Sequence, residues 1–204
     1  MIQLSDISRM SDDTQMAADL IERTLYAIQN CFHPSFNFIS KSGNQTPLNY
    51  KIDYNRVENR GFFIALFKHI LYVGGKACYR TSLELCKLLL SLDVENDPLG
   101  CILLIDFYAI RSNQYEYLIE FYEEFNVSKS LHLLPNIAMS VALAYFNLFN
   151  QKNDTNYLEK GEKLLQDALV RFPSILMDLL EKCSVVPDKQ VESHWIFAKV
   201  SHLK

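Results

Sequence analysis

The chain has 204 residues, 49% of them apolar and 22% charged, and its formal net charge is −4 with a pI near 5.7. A chain of this length buries roughly 70% of its unfolded surface, so a sizeable core is available. The acidic balance argues against a nucleic-acid-binding domain, which usually carries a basic face, and against an anionic membrane as the main partner. Helical periodicity then runs through the sequence. Asp12 offers a cap for a first helix, with Gln15 as its capping-box partner. Ala17, Leu20, Ile21, Leu25, Ile28 and Phe32 follow on one face. Pro34 ends that helix. Residues 34–54 hold two prolines, a glycine and several Ser, Asn and Thr, and read as a long loop. Loops of that length are often functional.

Asn55 with Glu58 is a second capping box, opening a helix over 61–73 that Gly74-Gly75 stops. A helix over 77–92 comes next. Asp97-Pro98 is a start signal, since Asp caps and Pro suits the first helical position, and it predicts a helix to about residue 111. Residues 114–125 form another, with Tyr115, Leu118, Ile119 and Tyr122 on one stripe. Pro135-Asn136 opens a helix to Phe149 that is apolar on nearly every side and is expected to be central. After a polar loop at 150–156, helices are predicted over 157–172, stopped by Pro173, then 175–182 and 190–201. This makes eight or nine helices in one domain over 1–204, with no strand alternation.

Two helices share a template. Ser82, Cys86, Leu89 and Val94 have the same spacing as Gly161, Leu165, Ala168 and Pro173. That pattern matches the second helix of a tetratricopeptide repeat, where small residues let neighbouring helices approach. No full repeat register runs through the chain. The fold expected is all-α: degenerate tetratricopeptide-like helical hairpins stacked as an α-solenoid.

Little in the sequence points to catalysis. The five cysteines, Cys31, Cys78, Cys86, Cys101 and Cys183, never show C-x-x-C spacing. They read as reduced intracellular thiols, mostly packed as small apolar side chains. Cys31 lies near His33, but at a helix end; Cys183 and His194 are separated by a proline turn. The five histidines lack metal-ligand spacing, and Gly74-Gly75 lacks the residues of a phosphate loop. No cofactor or metal is expected. The first ten residues are mixed and polar, unlike a signal peptide. The charge-free stretch 136–150 is shorter than the roughly 17–25 residues a membrane helix needs. A soluble cytoplasmic protein, also admissible to the nucleus, is expected. The aromatic set Tyr115, Tyr117, Phe121, Tyr122 and Phe125 suits core packing, with Tyr117 off the main stripe and the best candidate for exposure. The block Asp53-Tyr54-Asn55-Arg56-Val57-Glu58-Asn59-Arg60 has two readings. It is a helix cap with surface ion pairs, or a recognition patch whose Arg forks suit carboxylate or phosphate.

Ordered blocks from about Tyr26 to Phe197 give a more specific signal. They comprise His33-Pro34 with Phe36; Asp53, Tyr54, Arg56, Glu58, Asn59 and Arg60; Asp97-Pro98; Tyr115-Glu116-Tyr117-Leu118-Ile119; Leu134-Pro135-Asn136; Leu143-Ala144-Tyr145-Phe146; and Cys183-Ser184-Val185 with Pro187-Asp188. Together they resemble the ribosome-quality-control subunit family known in animals as transcription factor 25. In the central block Asn55 and Val57 stand where the family pattern has Arg and Pro. The resemblance implies a non-catalytic scaffold supporting ubiquitination and extraction of stalled nascent chains on large ribosomal subunits. The partners it implies are a Listerin-type ubiquitin ligase, the nascent-chain-binding tailing factor, an AAA unfoldase and the large subunit itself, with ubiquitin a further candidate. Asp53, Tyr54, Arg56, Glu58, Asn59, Arg60 and Tyr117 are the candidate contact residues. The family's long basic N-terminal region and further C-terminal helices are not in this sequence, which reads as a fragment or reduced member. The alternatives are a nuclear transcriptional co-regulator acting through protein contacts and, third, a cysteine hydrolase using Cys31 or Cys183.

Overall fold

The structure is a computed structural model that describes residues 1–33 and 51–198. Among these residues lie eleven α-helices, one 3-10 turn and no strand. The all-α expectation holds. Most of the long loop expected at 34–54, and the Pro34–Phe36 part of the first motif, lie outside the described residues. The chain divides into two compact units, Met1–Ser112 and Asn113–Lys204. In each, helices pack against their neighbours in sequence, as stacked helical hairpins do.

The first unit holds α1 (Ile2–Met10), α2 (Thr14–Cys31), α3 (Val57–Gly75), α4 (Tyr79–Leu92) and α5 (Ile102–Arg111). Helix α1 escapes the sequence reading because its pattern is inverted. Its buried residue is Ser5, whereas Leu4 and Ile7 are exposed. Ser5 Oγ donates to the Ala17 carbonyl of α2 at 2.8 Å and lies 3.1 Å from the Tyr72 hydroxyl of α3. A buried hydroxyl with both needs met costs little, and it ties three helices together. Ala17, Ile21, Phe63, Ile70, Leu83 and Ile105 are fully buried in the core of this unit.

Four local expectations are corrected here. The cap of α2 is Asp13, whose carboxylate accepts from Met16 N at 2.9 Å. Asp12 takes a left-handed φ of 59° in the preceding turn, and Gln15 bonds Asp19 instead. Helix α3 starts at Val57 with no side-chain cap, so Asn55 and Glu58 form no capping box. It also runs through Gly74-Gly75; the left-handed residue that ends it is Ala77, at φ 61°. Gly74 serves a different need, because a Cβ there would sit 2.5 Å from the Tyr108 hydroxyl of α5. Asp97 does cap the next helix, accepting from Cys101 N and Ile102 N at 2.8 and 3.0 Å. Its own φ of 40° places 98–101 in a turn, so α5 begins four residues later than expected.

The second unit holds α6 (Tyr115–Lys129), the 3-10 turn Leu131–Leu133, α7 (Pro135–Lys152), α8 (Thr155–Arg171), α9 (Pro173–Lys182), α10 (Lys189–Ser193) and α11 (Trp195–Ala198). Helix α7 packs against α6 and most extensively against α8, burying Ile137, Val141, Ala144, Tyr145 and Leu148. The polar loop expected at 150–156 shrinks to a two-residue link. Asn153 ends α7 in the left-handed conformation, and Asp154 caps α8 by accepting from Asn156 N at 3.0 Å. Gly161 lets this hairpin close: a Cβ there would meet Tyr145 Cβ at 3.1 Å and the Ala142 carbonyl at 3.4 Å. Ser82 marks the matching place in the first unit, fully buried with its hydroxyl 3.3 Å from the Ile70 carbonyl of α3. Both members of the sequence template thus hold their small residue at a helix–helix contact.

Candidate functional site

The block 53–60 is built from both sides. Upstream, Ile52 N donates to the Leu92 carbonyl at the end of α4 at 3.0 Å. Lys51 pairs with Glu95 at 2.5 Å and lies 3.7 Å from buried Asp93. Asp53 Oδ1 accepts from Asn55 N at 2.9 Å, a short Asx turn. Downstream, the first turn of α3 reaches back to the same segment. Asn59 Nδ2 donates to the Asp53 carbonyl at 2.8 Å, and Arg60 Nε donates to the Tyr54 carbonyl at 3.2 Å. A second Arg60 nitrogen reaches the Asn55 carbonyl at 3.4 Å, and the guanidinium lies 5.6 Å from the Tyr54 ring centre. Tyr54 itself packs edge-on against buried Phe63 at 5.3 Å.

The candidate residues therefore separate by what they touch. Asp53, Tyr54, Asn59 and Arg60 hold the entry to α3. Arg56 and Glu58 are exposed, and their side chains make no hydrogen bond or ion pair among the described residues. Arg56 stands at the N-cap position of α3, where the unpaired backbone N–H groups add partial positive charge. Arg56 and Glu58 are thus the part of the block whose side chains stay exposed and unengaged among the described residues. Tyr117 belongs to the second unit. It is half-buried, with its ring 6.0 Å from Phe121, which in turn lies 4.9 Å from Phe125 along α6.

The cysteines divide differently from the expectation that most are buried. Cys86 and Cys101 are buried, while Cys31, Cys78 and Cys183 are exposed. Burial pushes the Cys86 thiol up to about 12, with the Asp97 carboxylate adding to the effect, and raises Cys101 for the same reasons. Neither buried thiol is a thiolate near neutral pH, which is the form a nucleophile needs. No group of His, Cys, Asp and Glu that could hold a metal occurs among the described residues. Nor is any helix among them long and apolar enough to cross a membrane.

Two concave features of the second unit are not legible in the sequence. A cavity of about 300 Å³ is lined by Tyr122, Asn126, His132, Asp167 and Arg171 over an apolar floor. Its polar groups mostly close the structure: Arg171 donates to the His132 carbonyl at 2.7 Å, and Asn126 Oδ1 accepts from His132 N at 2.9 Å. A larger groove of about 500 Å³ opens between α7, α8 and α9, lined by Met139, Leu143, Phe146, Leu158, Leu165 and Leu179. Leu143, Phe146, Leu165 and Leu179 are each between 42% and 47% exposed. Helix α7 is thus apolar on nearly every side, as its sequence shows, but one of those sides is uncovered. Periodicity identifies an apolar face; it does not say whether the fold covers that face.

Known proteins place these features in a family. A family profile described as "Transcriptional repressor TCF25" matches residues 1–204. The "Ribosome quality control complex subunit TCF25" of Homo sapiens is 44% identical over 203 residues, covering 97% of this chain and 29% of that protein. The Dictyostelium discoideum protein of the same name is 35% identical over 201 residues, 89% of this chain and 26% of that protein. "Probable transcription factor claV" of Ampulloclitocybe clavipes is 28% identical over 205 residues, 95% of this chain and 25% of that protein. These relatives are named as complex subunits or as a transcription factor, not as enzymes. The chain spans under a third of the length of the curated relatives it matches. No solved structure matches. With the profile covering its whole length and the human relative 44% identical, this chain belongs to the TCF25 family.

Proposed function

We propose that this chain is a non-catalytic scaffold segment of the ribosome quality control complex, supporting ubiquitination and extraction of stalled nascent chains on large ribosomal subunits. The observation that carries the reading is the 44% identity, over nearly the whole chain, to a protein named as a subunit of that complex. The surfaces of the two units suit it. Stacked helices present an uncovered apolar groove in one unit and, in the other, an exposed arginine at a helix start with no ion pair among the described residues. Both are contact surfaces rather than centres of bond-making. The partners that follow are a Listerin-type ubiquitin ligase, an AAA unfoldase and the large subunit with its stalled chain, and the working compartment is the cytoplasm.

A second reading has its own support. The family profile is described as a transcriptional repressor, and the relative from Ampulloclitocybe clavipes is named a probable transcription factor. On that reading the same helical surfaces serve a nuclear co-regulator. Affinity purification of the full chain from cells with stalled translation separates the two. Large-subunit proteins and the ubiquitin ligase recovered in proportion to the bait support the scaffold. Chromatin proteins in their place, with ribosomal proteins at background, overturn it in favour of the co-regulator.

A further inference from the structure

We infer that the groove between α7, α8 and α9 receives a short amphipathic helix of a protein partner, carrying two or three apolar side chains on one stripe and a lysine or arginine beside them. The walls dictate this. Met139, Leu143 and Phe146 run along α7 at helical spacing, opposite Leu158 and Leu165 of α8, and Leu179 of α9 closes one side. The floor is Gly161 with Ala142, where α7 and α8 meet most closely. From Met139 to Phe146 is seven residues, about 10 Å at 1.5 Å per residue, the length of two turns of a docked helix. An exposed apolar surface lining a groove of this kind marks a place that another molecule covers.

The backbone decides the conformation of the occupant. Every wall is an α-helix, whose own N–H and C=O groups are already engaged along its length. No strand, and so no sheet edge, occurs among the described residues to pair with an extended peptide. An extended segment laid here would bury its peptide groups against apolar side chains without partners, which is costly. A helix satisfies its backbone internally and presents side chains alone. The charge decides the flank. Glu162 is the one charged residue lining the groove; it is exposed and makes no ion pair or hydrogen bond among the described residues. A cation beside the apolar stripe meets it, and an acidic flank is repelled. The groove is then one contact surface of the scaffold, and its choice of a protein occupant rests on that reading.

The test uses the full 204-residue chain and two fluorescein-labelled peptides of about 14 residues on an alanine background. Both carry leucines spaced i, i+4 and i+7; one flanks them with lysines, the other with glutamates. By fluorescence anisotropy the lysine peptide binds at least roughly tenfold tighter than the glutamate peptide. Glu162→Lys reverses that order. Phe146→Asp, at a residue 47% exposed, weakens both peptides at least roughly tenfold in protein that thermal melting shows to be still folded. Three results overturn the proposal: neither peptide binds, Glu162→Lys leaves the preference as it was, or Phe146→Asp is without effect. Sedimentation velocity gives a fourth: a dimer that Phe146→Asp dissociates assigns the groove to a second copy of this chain. Failure of these measurements with ribosomal partners still co-purifying removes the groove alone. Peptide binding without ribosomal partners removes the scaffold reading and leaves the groove.

Discussion

Arg56 and Arg60 lie one helical turn apart, and their surroundings separate their roles. Arg60 gives donors to the Tyr54 and Asn55 carbonyls and lies over the Tyr54 ring, so Arg60→Glu removes three contacts and puts a carboxylate against carbonyl oxygens. Thermal melting of that variant should show a loss of about 0.5–1.5 kcal/mol, the net worth of a few partly exposed polar contacts. An unchanged melting temperature would mean that Arg60 does not hold the α3 entry. His69 is a second residue with a forecast. Its Nδ1 is buried with no hydrogen-bond partner among the described residues, and burial lowers its pKa below the ordinary 6.5, with Lys76 lowering it and Glu22 partly opposing. The unfolded chain therefore takes up this proton more readily than the folded one. The contribution of neutral His69 to stability is complete above pH 6.5 and is lost as pH falls through that value toward the lower folded pKa. Melting temperature should decline as pH drops from about 7 to about 5. His69→Leu should flatten that decline relative to the unaltered chain. Parallel curves for the two proteins would contradict the assignment.

At the scale of elements, hairpin closure depends on residues too small to hold helices apart. Gly161→Val adds a branched side chain where even a single Cβ would lie only 3.1 Å from Tyr145 Cβ. Overpacking of this kind costs about 1–3 kcal/mol, set against the modest helix propensity gained on leaving glycine. Urea unfolding should show the loss as a lower midpoint with an unchanged slope. An increase in midpoint would mean that α7 and α8 have room to move apart. Sequence alone locates Ser82 and Gly161 because small residues recur at fixed spacing within long periodic helices. It misassigns Gly74-Gly75, since a glycine pair near a helix end looks like a stop whether it relieves backbone strain or makes room for a ring, here that of Tyr108. Helix α1 stays hidden because its buried side is a serine and its exposed side is Leu4 and Ile7. Periodicity reads such a helix backwards or not at all.

At the scale of the molecule, the all-helical class is legible because long stretches of helical periodicity recur from α2 to α9. The candidate site is legible only in part. The block 53–60 announces itself by its charges and motif. The division between Arg60, which holds the backbone, and Arg56, which is exposed at the α3 start, needs the fold that returns α3's first turn to residues 53–55. The groove is out of reach for a related reason: Phe146, Leu165 and Leu179 come from three helices, and each alone reads as core. The proposed role of this chain is that of a scaffold on stalled large ribosomal subunits. Its most direct test is the fraction of the tagged chain that co-sediments with large subunits in a sucrose gradient after translational stalling, for the unaltered chain and for Arg56→Glu. Stalling should move the unaltered chain into the large-subunit fractions. Arg56→Glu, with its melting temperature unchanged, should reduce that fraction by roughly three- to tenfold, as loss of a charge-complementary contact does. A chain that stays at the top of the gradient whether or not translation is stalled would contradict the account.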